Sequence, residues 1–291
     1  MRLAHLGTPG GSDARLAVVV DDRAIFVDDL VDDAPSDLQD LIERGDGVRA
    51  EIDAAAGNAA SRAELWHPVS QLRHFSAVLR PPIILAIGAN YAAHSAELAL
   101  KVEKAATVFA LWPNSLTAHE ATTTWPAELS NEVDYEAELG VIIGTPARNV
   151  RVADALDHVF GYTVVNDITA RNLQFSEAQW SRCKSFDGFT PTGPVVVTAD
   201  QVADPQDLWL STNLDGQLLQ DASTSGMVRS VAELIAFLSI STTLQPGTLI
   251  STGSPGGAGY SRTPPVFLHD GSRVTVSCSG IGSLTTHCRV I

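Results

Sequence analysis

Positive charge is scarce in this chain: nineteen lysines and arginines stand against 34 acidic residues, for a formal net charge of −15 and a pI near 4.8. Such a surface repels phosphate backbones and anionic headgroups, so neither nucleic acid nor a membrane is expected as a partner. Cysteine is scarce too. The three present, Cys183, Cys278 and Cys288, are widely spaced, and no pair has metal-clip spacing. They fit free thiols in a reducing compartment, the cytoplasm, rather than a disulfide framework. Met1 to Gly10 carries no apolar run, so no secretory leader is expected. The uncharged stretch from Leu234 to Ser261 contains Pro246, several hydroxyl residues and a glycine cluster, which a membrane-spanning helix would not choose. What is plentiful is apolar residue, 45% of 291, enough for one large domain or two modest ones.

Leu16 to Val20 and Ala24 to Val27, joined by Asp-Asp-Arg, read as a hairpin. Ser36 to Glu64 reads as helical with a break at Gly45 to Gly47. Residues 1–75 are therefore expected as a small N-terminal α+β accessory domain, with a catalytic domain over 76–291. Beyond Pro81-Pro82 come short β-branched runs: Ile83 to Ile87, Leu139 to Ile143, Tyr162 to Val165, Val195 to Thr198, Thr248 to Ile250 and Val274 to Val276. Helical stretches are fewer: Ala92 to Leu100, Val152 to His158, Ala170 to Trp180 and Val231 to Ser239. Many strands, scattered helices and no βαβ alternation predict an α+β, mainly β architecture.

Asp134-Tyr135-Glu136-Ala137-Glu138 runs into an apolar strand, and alternation puts Asp134, Glu136 and Glu138 on one face. Carboxylates two apart repel, a cost that a cation removes; the alternative is a solvated strand face. A second apolar strand ends in Asn166-Asp167 just before a helical stretch, where Asp167 either caps the helix or enters a cleft. Three carboxylates without His or Cys make a hard, all-oxygen set suited to Mg2+, Mn2+ or Ca2+. His94 and Glu97, three apart, share a helical face: a base oriented by an acid, or an ordinary surface pair. Ser251 to Gly259 is a glycine-rich loop without the Gly-Lys-Ser/Thr ending of a phosphate loop, and its amides are able to approach a carboxylate closely.

The order of these blocks resembles the fumarylacetoacetate hydrolase family from about Leu85 to Val290. The carriers are Asn90 to Glu97, Asp134 to Leu139, Gly161 to Arg171, Lys184-Ser185-Phe186-Asp187, Thr252-Gly253-Ser254-Pro255 and Gly280-Ile281-Gly282. The resemblance implies a mixed β-sheet roll and a homodimer, with Mg2+ (or Mn2+ or Ca2+) held by Glu136, Glu138 and Asp167. It implies His94 with Glu97 as the water-activating pair, Lys184 as a further catalytic residue, and Arg171, Gln174 and Ser254 at the substrate. The expected activity is hydrolysis of a C–C bond in a small anionic 2-oxo or 1,3-dicarbonyl acid. Alternatives are a decarboxylase or keto–enol isomerase on the same site, or a non-catalytic metal-holding scaffold.

One position departs from the family pattern. Where the family usually has Phe-x-Lys-Pro, this chain has Phe109-Ala110-Leu111-Trp112-Pro113, and the lysine falls on Leu111 or Trp112. Weaker binding of a second anionic group and a bulkier, more apolar substrate are expected, with the Trp112 loop as the place to look.

Overall fold

The computed structural model describes residues 1–97, 105–240 and 242–291. The α+β, mainly β expectation holds. A long mixed sheet runs, from one edge, through His67–Pro68, Arg23–Phe26, Arg15–Val20, Arg2–Gly7, Thr190–Thr198, Val159–Asn166, Ala137–Ile143, Leu249–Ser251, Ile84–Gly88 and Thr107–Leu111. A five-stranded sheet, in the order Gln217–Ser223, Trp209–Leu214, Arg273–Cys278, Gly282–Val290 and Ala121–Trp125, faces it. Val164, Val195 and Val197 of the long sheet meet Leu210, Val274, Val276 and Leu284 of the smaller one in a single apolar cluster. Strands covered on both faces read as continuous apolar runs, which is why Ala137–Ile143 is buried along its whole length.

The expected hairpin forms, with Val18 opposite Ile25. Its partner strand Arg2–Gly7 pairs antiparallel with Thr190–Thr198, Leu3 opposite Val196. Helices α1 (Leu38–Arg44) and α2 (Asp46–Asn58) are separated at Gly45, whose φ of 82° is left-handed and costs little without a side chain. Leu38, Leu41, Ile42 and Ile52 cover Leu3, Val18 and Ile25 together with Ile142, Val165 and Val196. The leading 75 residues thus share both a sheet and an apolar cluster with the rest. His5 ties the two elements: its Nδ1 lies 3.0 Å from the Ser76 carbonyl, and its Nε2 accepts from the Leu38 amide at 3.0 Å.

Of the remaining helices, α3 spans Ala92–Glu97, and the continuation expected to Leu100 lies outside the described residues. Val152–His158 winds as a 3-10 helix rather than an α-helix, as short spans commonly do. Helix α4 (Arg171–Ser176) stops four residues short of Trp180, because Glu177 is already extended. Helix α5 (Val231–Leu238) begins with a complete capping box between Ser230 and Glu233. Among the described residues no helix is long and apolar enough to cross a membrane.

Candidate metal centre and active site

The site lies where three strand ends converge: the start of Ala137–Ile143, the end of Val159–Asn166 and the end of Leu249–Ser251. Glu136, Glu138 and Asp167 are fully buried, and each offers a carboxylate oxygen within 4.8 Å of the others. The shared strand face expected for Asp134, Glu136 and Glu138 is broken, because strand pairing lapses at Tyr135-Glu136. Asp134 turns away, accepting from the amides of Gly259 and Tyr260 at 2.9 and 3.1 Å and pairing with Arg171 at 2.9 Å. Asp167 takes the third place.

Two cations sit against this cluster. The Lys184 ammonium donates to Glu136 and Asp167, both at 2.6 Å, and to the Thr169 hydroxyl at 2.8 Å, which uses all three of its hydrogens. Arg171, expected at the substrate, is instead wholly buried behind Glu136: it contacts Asp134 at 2.9 Å and Glu136 at 2.8 Å and donates to Gln174 at 2.8 Å. Four buried carboxylates face two fixed cations, so two negative charges lack a partner. The consequence is a split in acidity. Burial would raise Glu136, yet the charges of Lys184 and Arg171 hold it well below the usual carboxylate range. Burial, reinforced by the charges of Asp167 and Glu136, drives Glu138 well above that range. Burial likewise pushes Asp167 up to about 6, with Lys184 opposing.

The donor set fits a divalent cation. Asp167 Oδ1 is buried without a hydrogen-bond partner among the described residues, an orphaned acceptor whose desolvation is costly. A hard cation satisfies that oxygen and the two unpaired charges together, and the absence of sulfur and imidazole nitrogen from the cluster suits Mg2+ or Mn2+ over Zn2+.

Around the cluster the loop Ser251 to Gly259 acts through its amides. Glu138 accepts from the Ser251 hydroxyl at 2.5 Å and the Gly253 amide at 2.8 Å. Gly253 has φ +99°, and a Cβ there would lie 2.7 Å from Asn90 Cβ. The same loop's Gly257 amide donates to Glu97 at 2.8 and 3.0 Å. The carboxylates this loop approaches are therefore the protein's own, from three different elements. Ser254 lines the cavity and accepts from Gln220 Nε2 at 2.8 Å.

His94 is 4% exposed, with Nε2 3.3 Å from Glu136 Oε1, while its Nδ1 has no hydrogen-bond partner among the described residues. The expected orientation by Glu97 is not what is found, since Glu97 is exposed and holds the Gly257 amide. Glu136 orients the imidazole instead, and with Nε2–H toward Glu136 the free Nδ1 is a basic lone pair. Cys183, beside Lys184, is fully buried and donates to the Trp180 carbonyl; burial pushes its thiol up to about 11, so it is a bystander.

The rest of the cavity is lined by Ile87, Gly88, Ala89, Phe109, Trp180 and Gln174. Ala89 has φ 56°, an uncommon left-handed value for a residue with a Cβ, of the kind that collects at functional sites. Leu111 and Trp112, where the missing cation was expected, do not line the cavity: Leu111 is buried and Trp112 is 44% exposed. Sequence reading missed Ser251, Thr169, Asn166, Phe109 and Trp180. Ser251 opens the glycine-rich loop, and Asn166, whose Oδ1 accepts the Glu136 amide at 3.0 Å, adjoins Asp167. The two aromatics carried no local signal.

A buried carboxylate cluster beside an imidazole, at the end of a mixed sheet, has the makings of a cation-assisted acid–base enzyme. Residues 83–289 match the Fumarylacetoacetate (FAA) hydrolase C-terminal family. The chain belongs to the fumarylacetoacetate hydrolase family. It is similar to the fumarylacetoacetate hydrolase of psychrophilic Exiguobacterium antarcticum, with TM-score 0.84 and 32% identity, each chain covered over 100% of its length. It is also similar to the maleylpyruvate hydrolase of Sphingobium sp. SYK-6 in complex with manganese(II) and pyruvate, with TM-score 0.82 and 30% identity over 100% of this chain and 99% of that one. The oxaloacetate tautomerase Fahd2a, mitochondrial, of Rattus norvegicus is 35% identical over 249 residues, 85% of this chain and 78% of that protein.

Proposed function

We propose that this protein is a divalent-cation-dependent hydrolase cleaving a C–C bond in a small 2-oxo or 1,3-dicarbonyl acid, an acylpyruvate or a fumarylacetoacetate-like acid. The observation that carries the reading is the buried triad with, beside it, an imidazole nitrogen that has no hydrogen-bond partner among the described residues. The cation, Mg2+ or Mn2+, would be held by Glu136, Glu138 and Asp167 and would supply Lewis acidity toward the 2-oxo acid head when bound. His94 Nδ1 takes a proton from water, and the hydroxide adds to the acyl carbonyl. The bond between that carbon and the next then breaks, the acyl carbon leaves as a carboxylic acid, and the proton passes to the departing carbon to complete an oxo acid, a 2-oxo acid in the case of an acylpyruvate. Lys184 acts as a fixed positive charge beside the developing enolate, and Arg171 keeps Glu136 ionised so that it can orient His94. Ser254 and Gln174 face the substrate from the cavity wall.

A second reading, a keto–enol tautomerase, is favoured by the name of the rat relative. It uses the same residues, with His94 moving a proton at carbon and no water added. The closing test is incubation with Mg2+ or Mn2+ and a panel of acylpyruvates and oxaloacetate. Release of a carboxylic acid supports the hydrolase, faster enol-to-keto conversion the tautomerase, and CO2 a decarboxylase. No reaction with any of them refutes an enzyme of this substrate class and leaves the scaffold alternative. We place the protein in the cytoplasm, where its three buried free cysteines stay reduced, and take it to act as a homodimer.

A further inference from the structure

The cavity has two unlike poles. One is the acid cluster with Lys184; the other is an apolar wall of Ile87, Phe109 and Trp180. The Trp180 indole meets the Phe109 ring edge-on, with centroids 5.5 Å apart at 72°. It also lies directly against Gly88, where a Cβ would come 2.3 Å from indole Cζ3, so only glycine permits this seating. With the indole in place the free volume is about 10 Å3, room for one water and not for a 2-oxo acid.

Most of the other lining groups are held. Ile87, Gly88 and Phe109 belong to paired strands, Gln174 is bonded to Arg171, and Ser254 to Gln220. Trp180 is half-buried and sits on a turn between α4 and the Thr190–Thr198 strand. Among the described lining residues the one cation is Lys184, and its three hydrogens go to Glu136, Asp167 and Thr169. Among the described residues, a second carboxylate on a substrate tail would thus face an indole and a phenyl ring without a counter-charge, at the desolvation cost of an unpaired ion.

Resting on the proposed cation-dependent reading, we infer that Trp180 is a specificity-determining residue. Its indole turns away from Gly88 to admit substrate and then closes, with Phe109 and Ile87, over an uncharged alkyl or aryl tail, so that the substrate is a monocarboxylate rather than a diacid.

The test is calorimetric and does not depend on which reaction is catalysed. The full chain, loaded with Mn2+, is titrated with oxalate and then with pyruvate, 2-oxopentanoate, 2-oxooctanoate and 2-oxoglutarate. Each methylene buried against the wall should tighten binding by about fourfold until the wall is covered. The dianionic 2-oxoglutarate should bind at least about tenfold more weakly than 2-oxopentanoate, its monoanionic match in backbone length. Trp180→Ala should flatten the chain-length series while leaving oxalate affinity within a few-fold; Trp180→Phe should keep part of it and guards against a folding defect. Ligand-induced change in tryptophan fluorescence should be largely lost in both variants. Equal or tighter binding of 2-oxoglutarate, or an unchanged series in Trp180→Ala, overturns this inference alone. Failure of the wild type to bind Mn2+ and oxalate overturns the cation reading, and this inference with it.

Discussion

Stripping the protein with EDTA and then adding Mn2+ to a hundred times its dissociation constant should raise the melting temperature by about 4 °C. A ligand at that excess stabilises the native state by about 2.7 kcal/mol. Unfolding entropy near 2.1 cal/mol/K per residue gives roughly 0.6 kcal/mol/K for a chain of 291 residues. The quotient is the expected shift, read by differential scanning fluorimetry or calorimetry. The informative variant is Glu138→Gln. Burial and two neighbouring carboxylates press Glu138 toward its protonated form when no cation is bound, and an amide is nearly isosteric and isoelectronic with that form. Its oxygen can still accept from Ser251 and the Gly253 amide. The cation-free variant should therefore melt within about 1–2 °C of the wild type, a difference under ~1 kcal/mol, yet lose the response to Mn2+. A wild-type-sized Mn2+ shift in Glu138→Gln would mean that the cation sits elsewhere. A variant that loses several kcal/mol without any cation would mean that Glu138 is ionised there, and the charge count of the site would be wrong.

Three further outcomes follow from the same geometry. Replacing His94 by Gln should lower turnover by roughly 10²–10⁴-fold with Mn2+ affinity, measured by calorimetry, little changed; near-normal turnover would remove His94 as the base. Lys184→Met takes the counter-charge from Glu136 and Asp167 and should cost about 3–5 kcal/mol in denaturant unfolding without cation, with Mn2+ restoring part; an unaffected midpoint would show that the ammonium does not carry that load. Burial depresses His5, and burial with the nearby His119 depresses His74 to about 4, so both are neutral when folded. The unfolded chain takes up their protons first, and stability should fall as pH drops below about 6.5, by up to ~1.4 kcal/mol per pH unit for each histidine, the His74 share ending near pH 4. A pH 7-to-5 melting series in which His5→Gln/His74→Gln keeps the wild-type slope would refute this.

The acid cluster was legible because its carboxylates lie in short local patterns. Glu136 and Glu138 two apart at a strand start, and Asp167 ending a buried strand, announce themselves by burying charge where apolar residues belong. The role of Asp134 could not be read the same way, since alternation assumes unbroken pairing and the strand lapses at Tyr135-Glu136. The pairing of His94 with Glu97 failed for a related reason. Helical spacing puts them on one face, but each finds a stronger partner from a distant segment, Glu136 and the Gly257 amide. Arg171 was expected at the substrate and Lys184 among the catalytic residues; that both spend their hydrogens on the acids is set by long-range packing, which local patterns do not carry. The apolar wall was invisible, because Phe109 and Trp180 are 71 positions apart and meet only through the fold.

The pairing of Arg2–Gly7 with Thr190–Thr198 bears on how the chain can be shortened. Trimming the first 75 residues, as a domain boundary invites, would strip a neighbour from a strand that lies inside the sheet. It would leave a row of bare amides and carbonyls on Thr190–Thr198 and uncover Ile142, Val165 and Val196 beneath α1 and α2. An unprotected sheet edge beside an apolar patch is a template for pairing with other chains. A truncated catalytic fragment should therefore precipitate or cross-pair when expressed alone, whereas co-expression with residues 1–75 as a separate peptide should return it to solution.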